Sequence, residues 1–478
     1  MTPLDTIIRG GTLVTASDTS RADIGIRDGR IVVIGEDLGR DRYHAPEVID
    51  ATGLIVVPGG IDSHVHVAQP GEPGVVIADD FESGTRAAIF GGHTTVLPFC
   101  LQAKGQTLRD AVTWYRGLAD GNCYCDVSFH LIVTDPTPQA LGQDLPALVA
   151  DGYTSIKVFM TYEGMKLSDK DILRTLEAAK ASGALAMVHA ENDDMIEFLR
   201  DGAEARGETA PKYHATTRPV PAEREATHRA IALAEVIGTP IVVVHVSNRD
   251  AMEEIRAGRA RGSVVYGETC PQYLVLTADD MDRTGFDGAK YVCSPPPRDT
   301  AQQAACWEGL QTGVFDLYSS DHCPYRFEDE QGKKRPAGVK NFRYVPNGIP
   351  GVETSLPILF SEGVSKGRID LNRFVALTST NHAKLYGLYP RKGTIAVGSD
   401  ADLVLWDPAR VDTIRQENLH HGADYTPCEG LEVTGWPVRT ILRGKTVMQD
   451  GVLTAEKGVG QYQPRAPQGA RLTGTGAS

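Results

Sequence analysis

His64 and His66 stand two residues apart, just beyond an apolar run, Leu54-Ile55-Val56-Val57, that ends at Pro58-Gly59-Gly60. The run reads as a buried strand that opens a larger sheet, and the Pro-Gly-Gly as its breaker. In extended chain side chains repeat every two residues, so both imidazoles project to one side. Two imidazoles converging from a strand end suit a divalent metal ion, with Asp62 nearby as an orienting carboxylate. Solvated loop histidines would have the same spacing, so the choice depends on matching donors elsewhere. His189 closes Leu185-Ala186-Met187-Val188, His245 closes Ile241-Val242-Val243-Val244, and Asp321 follows Leu317-Tyr318-Ser319-Ser320. Lys157 interrupts the apolar segment Ile156-Lys157-Val158-Phe159, where an unpaired ammonium carries a large desolvation cost. Its head either reaches solvent or a carboxylate, or is an amine of lowered pKa able to act as a nucleophile. An amine that reacted with carbon dioxide would become a carbamate whose two oxygens could bridge two metals. The residues alone leave these readings open.

The elements that must position these groups alternate. Strand-like runs occur at 94–99, 126–133, 155–160, 184–189, 240–245, 263–268 and 315–320, with helical stretches such as 169–182, 221–237 and 249–260 between them. With 54–57 as the opening strand the count is eight. This pattern predicts a (β/α)8 TIM-like barrel, whose active site lies at the C-terminal strand ends. A doubly wound open sheet is the structural alternative, but no GxGxxG opens the first unit. Short β-like pieces at 6–11, 22–26 and 30–34 recur in texture at 401–406 and 438–444. They predict a small β-sandwich domain built from both chain ends. The expected division is therefore 1–53 and 383–478 for the sandwich and tail, and 54–382 for the barrel. Beyond about Tyr462 the chain is rich in Gly, Pro, Thr and Ala and is expected to be a tail, free or lying on a neighbouring subunit.

Composition narrows the partners. A net charge of −14 argues against nucleic acid or an anionic membrane surface, both of which want a basic face. No apolar run approaches membrane-spanning length, and the eight scattered cysteines suit reduced thiols in the cytoplasm. The Cys123-x-Cys125 pair has no second pair to complete a metal site and reads as structural.

Several longer stretches occur together. They are Ile8-Arg9-Gly10-Gly11-Thr12-Leu13-Val14, Gly60-Ile61-Asp62-Ser63-His64-Val65-His66, the segment 79–88, and Ser155-Ile156-Lys157-Val158-Phe159-Met160-Thr161-Tyr162. Val188-His189-Ala190-Glu191-Asn192, Ser294-Pro295-Pro296, Ser320-Asp321-His322-Cys323-Pro324, Pro346-Asn347-Gly348-Ile349-Pro350-Gly351 and Val433-Thr434-Gly435-Trp436-Pro437 follow. Over nearly its whole length the chain resembles the hydantoinase/dihydropyrimidinase family of cyclic amidohydrolases. The resemblance implies two divalent metal ions, usually zinc. It matches His64, His66 and Asp321 to one ion, His189 and His245 to the other, and Lys157, as N6-carboxylysine, to the bridge. It also implies that Asp321 is the proton shuttle and Tyr162 the donor to the developing oxyanion. Ser294 and Asn347, with Tyr162, match residues that hold the substrate's amide edge.

The implied reaction opens hydantoins or dihydropyrimidines, small cyclic ureides or imides, to N-carbamoyl amino acids, in a homotetramer or homodimer. Allantoinase is the nearest alternative activity, because its metal ligands would look the same. A non-catalytic scaffold on the same fold is disfavoured, since all six ligand positions are retained. Dihydroorotase is also disfavoured. Ala68 stands where that enzyme typically carries an arginine. A separate departure from the hydantoinase pattern, a proline in Ser294-Pro295-Pro296-Pro297-Arg298 where the family often has leucine, bears on the choice of substrate. Val65, Val67 and Met160 are expected to contribute to an apolar pocket lining.

Overall fold

The computed structural model describes residues 2–38 and 43–467. At its centre is the expected barrel. Its parallel strands follow chain order as β1 Gly60–Val65, β2 His93–Leu101, β3 His130–Ile132, β4 Ser155–Phe159, β5 Leu185–His189, β6 Ile241–Val243, β7 Val265–Thr269 and β8 Leu317–Tyr318. A short strand, Asp126–Val127, precedes β3 and also pairs with β2. A bridge between Val65 and His322 joins the two ends of the sheet, and His66 N–H donates to the His322 carbonyl at 2.6 Å. Asp62 tightens this seam. Its buried carboxylate accepts the backbone N–H groups of His64 on β1 (3.0 Å) and Ser320 after β8 (3.2 Å).

The expected opening strand lies elsewhere. Ile55–Pro58 pairs with Thr12-Leu13 and with Leu403–Trp406 in a separate seven-stranded sheet. The barrel begins instead with the histidine-bearing segment. An apolar run identifies a buried strand but not the sheet that buries it. The crossing occurs at Gly59, where a Cβ would meet Thr94 Oγ1 at 2.0 Å, so only glycine lets the chain pass between the sheets. The seven-stranded sheet draws strands from both chain ends, as expected, whereas a four-stranded sheet of 30–35, 23–27, 6–9 and 47–50 comes from the first fifty residues alone. Ile8, Ile24, Val56, Leu403 and Ile441 are among the residues buried together between them.

Local signals explain the helices that follow the strands. Three residues after His189, Asn192 accepts the N–H of Met195 and starts helix Asp193–Ala205. Three residues after His245, Asn248 accepts that of Ala251 and starts Arg249–Ala260. Such caps set where each β-to-α connection turns away from the barrel mouth. The expected helices at 169–182 and 249–260 occupy those limits, and the third spans Val220–Ile237.

The C-terminal segment departs from expectation. Up to residue 467 it is packed on its own barrel. Tyr462 bridges to Val127, and Gln463 N–H donates to the Val127 carbonyl (2.7 Å). Arg465 is buried and donates to Ser155 Oγ (2.7 Å) and to the Phe129 carbonyl. Three anchoring residues outweigh the tail-like composition around them. The rest of the expected tail, 468–478, lies outside the described residues.

Candidate active site

The barrel mouth brings together all six residues singled out by type and spacing. His64 Nε2 lies 2.8 Å from Lys157 Nζ and 3.2 Å from Asp321 Oδ1, and His66 Nε2 lies 3.7 Å from the same carboxylate oxygen. One donor atom each from His64, His66 and Asp321 falls within 4.8 Å of the others, a spacing that could hold a metal ion. Beside them His245 Nε2 and His189 Nδ1 face one another at 2.8 Å. All are buried.

The outer nitrogen of three of these imidazoles is occupied by a protein acceptor. His64 Nδ1 donates to Glu268 Oε1 (2.6 Å), His66 Nδ1 to Gln69 Oε1 (2.7 Å), and His189 Nε2 to Glu191 Oε2 (2.8 Å). Arg218 holds Glu191 in turn at 2.6 Å. Each bond places the ring's lone pair on the nitrogen facing the centre. Inward lone pairs beside a carboxylate form a donor set suited to a borderline divalent cation such as zinc. Burial draws all four imidazoles below their ordinary pKa, and nearby charges reinforce this for His64, His66 and His245. The rings are therefore neutral at pH 7, the form in which an imidazole can offer a lone pair to a cation.

Lys157 enters the centre from β4 with its Nζ 4.1 Å from the Phe99 ring centroid and 4.9 Å from that of Phe159. Its close partner is an imidazole nitrogen rather than a carboxylate. Burial draws the ammonium down and pushes Asp321 up, while the opposite charge of each partly offsets the shift in the other. Backbone geometry is unusual here as well. Ala68 (φ 48°), Tyr162 (φ 77°), His245 (φ 42°) and Asp321 (φ 50°) occupy the left-handed region, which costs non-glycine residues of order 1 kcal/mol or more each. The surrounding packing holds these strand-end residues where relaxed chain would not go.

A cavity of about 380 Å³ opens over this cluster and is lined by Tyr162, Ser294 and Asn347 together with His66, Lys157, His189, His245 and Asp321. Leu101, Phe159, Met165 and Val345 supply apolar wall. Val65, Val67 and Met160 do not; they pack into the core outside the barrel strands. The reason is the same period of two. With His64 and His66 facing inward, Val65 and Val67 must face outward. Arg335 and Arg343 also line the cavity, but each is paired, Arg335 with Glu72 (3.1 Å) and Arg343 with Glu197, Asp201 (2.8 Å) and Glu204 (3.1 Å).

Glu268, Gln69 and the Glu191–Arg218 pair were not singled out from the sequence. Glu268 had a usable signal, since it ends an expected barrel strand, and strand ends at that face carry function. Gln69 had none beyond its position three residues after His66.

A parallel eight-stranded barrel that gathers four imidazoles, a lysine and an aspartate at its C-terminal mouth has the architecture of a metal-dependent hydrolase. Comparison with known proteins agrees: residues 55–447 match the model of the amidohydrolase family. The chain is 47% identical over 468 residues to a D-hydantoinase of Geobacillus stearothermophilus, covering 98% of each. Its fold matches the crystal structure of dihydropyrimidinase from Brevibacillus agri NCHU1002, with a TM-score of 0.93, 46% identity and coverage of 97% of this chain and 99% of that one. It also matches an L-hydantoinase (dihydropyrimidinase) from Arthrobacter aurescens, at a TM-score of 0.87, 33% identity and coverage of 97% and 100%. The chain belongs to the amidohydrolase family, in its hydantoinase/dihydropyrimidinase branch, and is a cyclic-amide hydrolase. That family implies a binuclear metal centre.

Proposed function

We propose that the protein opens 5-substituted hydantoins and dihydropyrimidines to N-carbamoyl amino acids, with a preference for the D enantiomer. The convergence of six donor side chains beneath a substrate-sized cavity carries this reading. The greater identity to the D-hydantoinase than to the L-hydantoinase supports the stereochemical part. His64, His66 and Asp321 would hold one divalent ion, of which zinc suits the donors best, and His189 and His245 the second. Lys157, between the two groups, would bridge them as its carbamate, formed when the amine adds to carbon dioxide and releases a proton. When bound, such a pair of ions polarises a carbonyl and acidifies water.

The protein's own residues then divide the work. Asp321 accepts the proton of the attacking water and returns it to the leaving ring nitrogen. Tyr162 donates its O–H to the oxygen that gains charge. Burial pushes that phenol up to about 12, so it remains a donor at neutral pH. Ser294 and Asn347 hold the amide edge of the ring, largely through backbone groups. Of the cations on the wall, Arg335 and Arg343 are already paired with carboxylates and Lys104 is exposed to solvent, which favours uncharged ureides.

We assign the catalytic work to a barrel domain ending near 382. Its first boundary is moved from 54 to Gly59, because Ile55–Pro58 pairs in the other sheet. The eight free cysteines support a reducing, cytoplasmic setting. Exposed Met195 and Phe198, one turn apart on a helix, support assembly as a homodimer or homotetramer. The direct test is turnover of hydantoin, dihydrouracil, allantoin and dihydroorotate by protein reconstituted with zinc. Failure to open the first two would overturn the assignment.

A further inference from the structure

Lys333 is a fully buried lysine outside the donor cluster. Its Nζ donates to the carbonyls of Val292 (2.8 Å) and Pro346 (2.6 Å). Among the described residues it has no carboxylate within ion-pair distance. The third side of the ammonium looks toward the Tyr325 ring, 5.8 Å from its centroid. Burial draws the group down to about 7. A buried cation bound only by carbonyl oxygens is costly to maintain, and its partners indicate what it holds.

Val292 lies two residues before Ser294, and Pro346 is the neighbour of Asn347. The Val292 carbonyl also accepts the N–H of Gly348 (3.1 Å), so one oxygen gathers both the lysine and the second loop. Gly348 sits close against Cys323, where a Cβ would meet the backbone oxygen at 2.4 Å. The chain reaches this point through a tight turn. Lys333 N–H donates to the Arg326 carbonyl (2.8 Å), and a Cβ on Gly332 would fall 2.1 Å from that oxygen.

We propose that Lys333 is a positioning residue that staples the Ser294 and Asn347 loops at the spacing needed to grip the ring's amide edge. The proposal rests on the assignment of those two residues to substrate. The lysine is not among the residues that line the cavity and acts through two backbone carbonyls. Every substrate of this site presents the same amide edge, whatever its 5-substituent. Loosening the staple therefore weakens all substrates alike, whereas damage to the cavity wall would change the ranking of small against bulky substituents.

The test compares zinc-reconstituted wild type with Lys333→Met, Lys333→Gln and Lys333→Arg, on hydantoin and on a 5-aryl hydantoin. In Lys333→Met, KM should rise at least tenfold by the same factor for both substrates, with kcat falling less and zinc content unchanged. The amide donors of Lys333→Gln and the charged donors of Lys333→Arg should each recover part of that loss. Wild-type turnover in the same assay tests the underlying assignment separately. If wild type opens the ring while a folded Lys333→Met keeps KM within twofold, the positioning role is wrong. A loss shared unequally between the substrates would overturn it in favour of a wall-shaping role. If neither Lys333→Met nor Lys333→Gln folds, a purely structural role replaces it.

Discussion

Glu268 offers the sharpest test of how the centre is held. Its Oε1 accepts both His64 Nδ1–H (2.6 Å) and the backbone N–H of His245 (3.2 Å), and its Oε2 accepts the Ser319 hydroxyl (3.0 Å). One carboxylate thus orients a residue of each proposed metal group. A glutamine can keep its oxygen toward His64 and His245 if its NH2 faces Ser319. That hydroxyl can turn to accept it, directing its own proton to Ser63 Oγ at 3.3 Å. Glu268→Gln therefore keeps the geometry but exchanges three charge-assisted bonds for neutral ones, of which the two to His64 and His245 bear on the centre, a loss there of about 1–2 kcal/mol, or roughly tenfold in zinc affinity. Glu268→Ala leaves both N–H groups buried and unpaired, at about 1–3 kcal/mol each, so a loss of roughly a hundredfold or more is expected. The assay is zinc retained after dialysis against graded chelator, with kcat/KM for hydantoin measured on the same samples. The expected order is wild type, then Gln, then Ala, in both readouts. An alanine variant that stays folded and matches wild type in metal and rate would refute the argument.

Lys157→Ala should lose most bound metal and activity, and a short carboxylate added to the buffer should restore part of both; full metal with normal turnover would remove the bridge. Asp321→Asn keeps an oxygen donor but cannot take a proton, so kcat should fall by orders of magnitude while metal occupancy falls less, as read by elemental analysis beside steady-state kinetics. Neutral ureides should exceed dihydroorotate in kcat/KM by roughly tenfold or more, since a carboxylate would find Arg335 and Arg343 already paired. Arg465→Met removes two charge-assisted hydrogen bonds far from the mouth; it should cost about 3 kcal/mol by denaturant midpoint and leave kcat/KM intact.

What was legible in the chain followed from local periodicity. The spacing of His64 and His66 puts both rings on the inner side of one strand, and the runs ending at His189 and His245 place those rings at the same barrel end. The same rule, applied consistently, turns Val65 and Val67 away from the cavity, so the expected lining contradicted the expected ligands. Properties set by distant partners were not legible. Ile55–Pro58 has the texture of a barrel strand, and only its pairing with Leu403–Trp406, some 350 residues later, assigns it to the sandwich. Tyr462 and Arg465 sit in a stretch whose composition suggests a free tail, yet they close onto Val127 and Ser155 across more than 300 residues.

Glu268 combines both cases. Its place at a strand end is written locally, while its partner lies 204 positions away on β1. Inward donors recur at strand ends because the barrel repeats, and so they can be read from sequence. The groups that orient those donors come from wherever the closed barrel brings a neighbouring strand. For that reason the six proposed ligands emerged before the structure, and Glu268, Gln69, Glu191 and Lys333 emerged only with it.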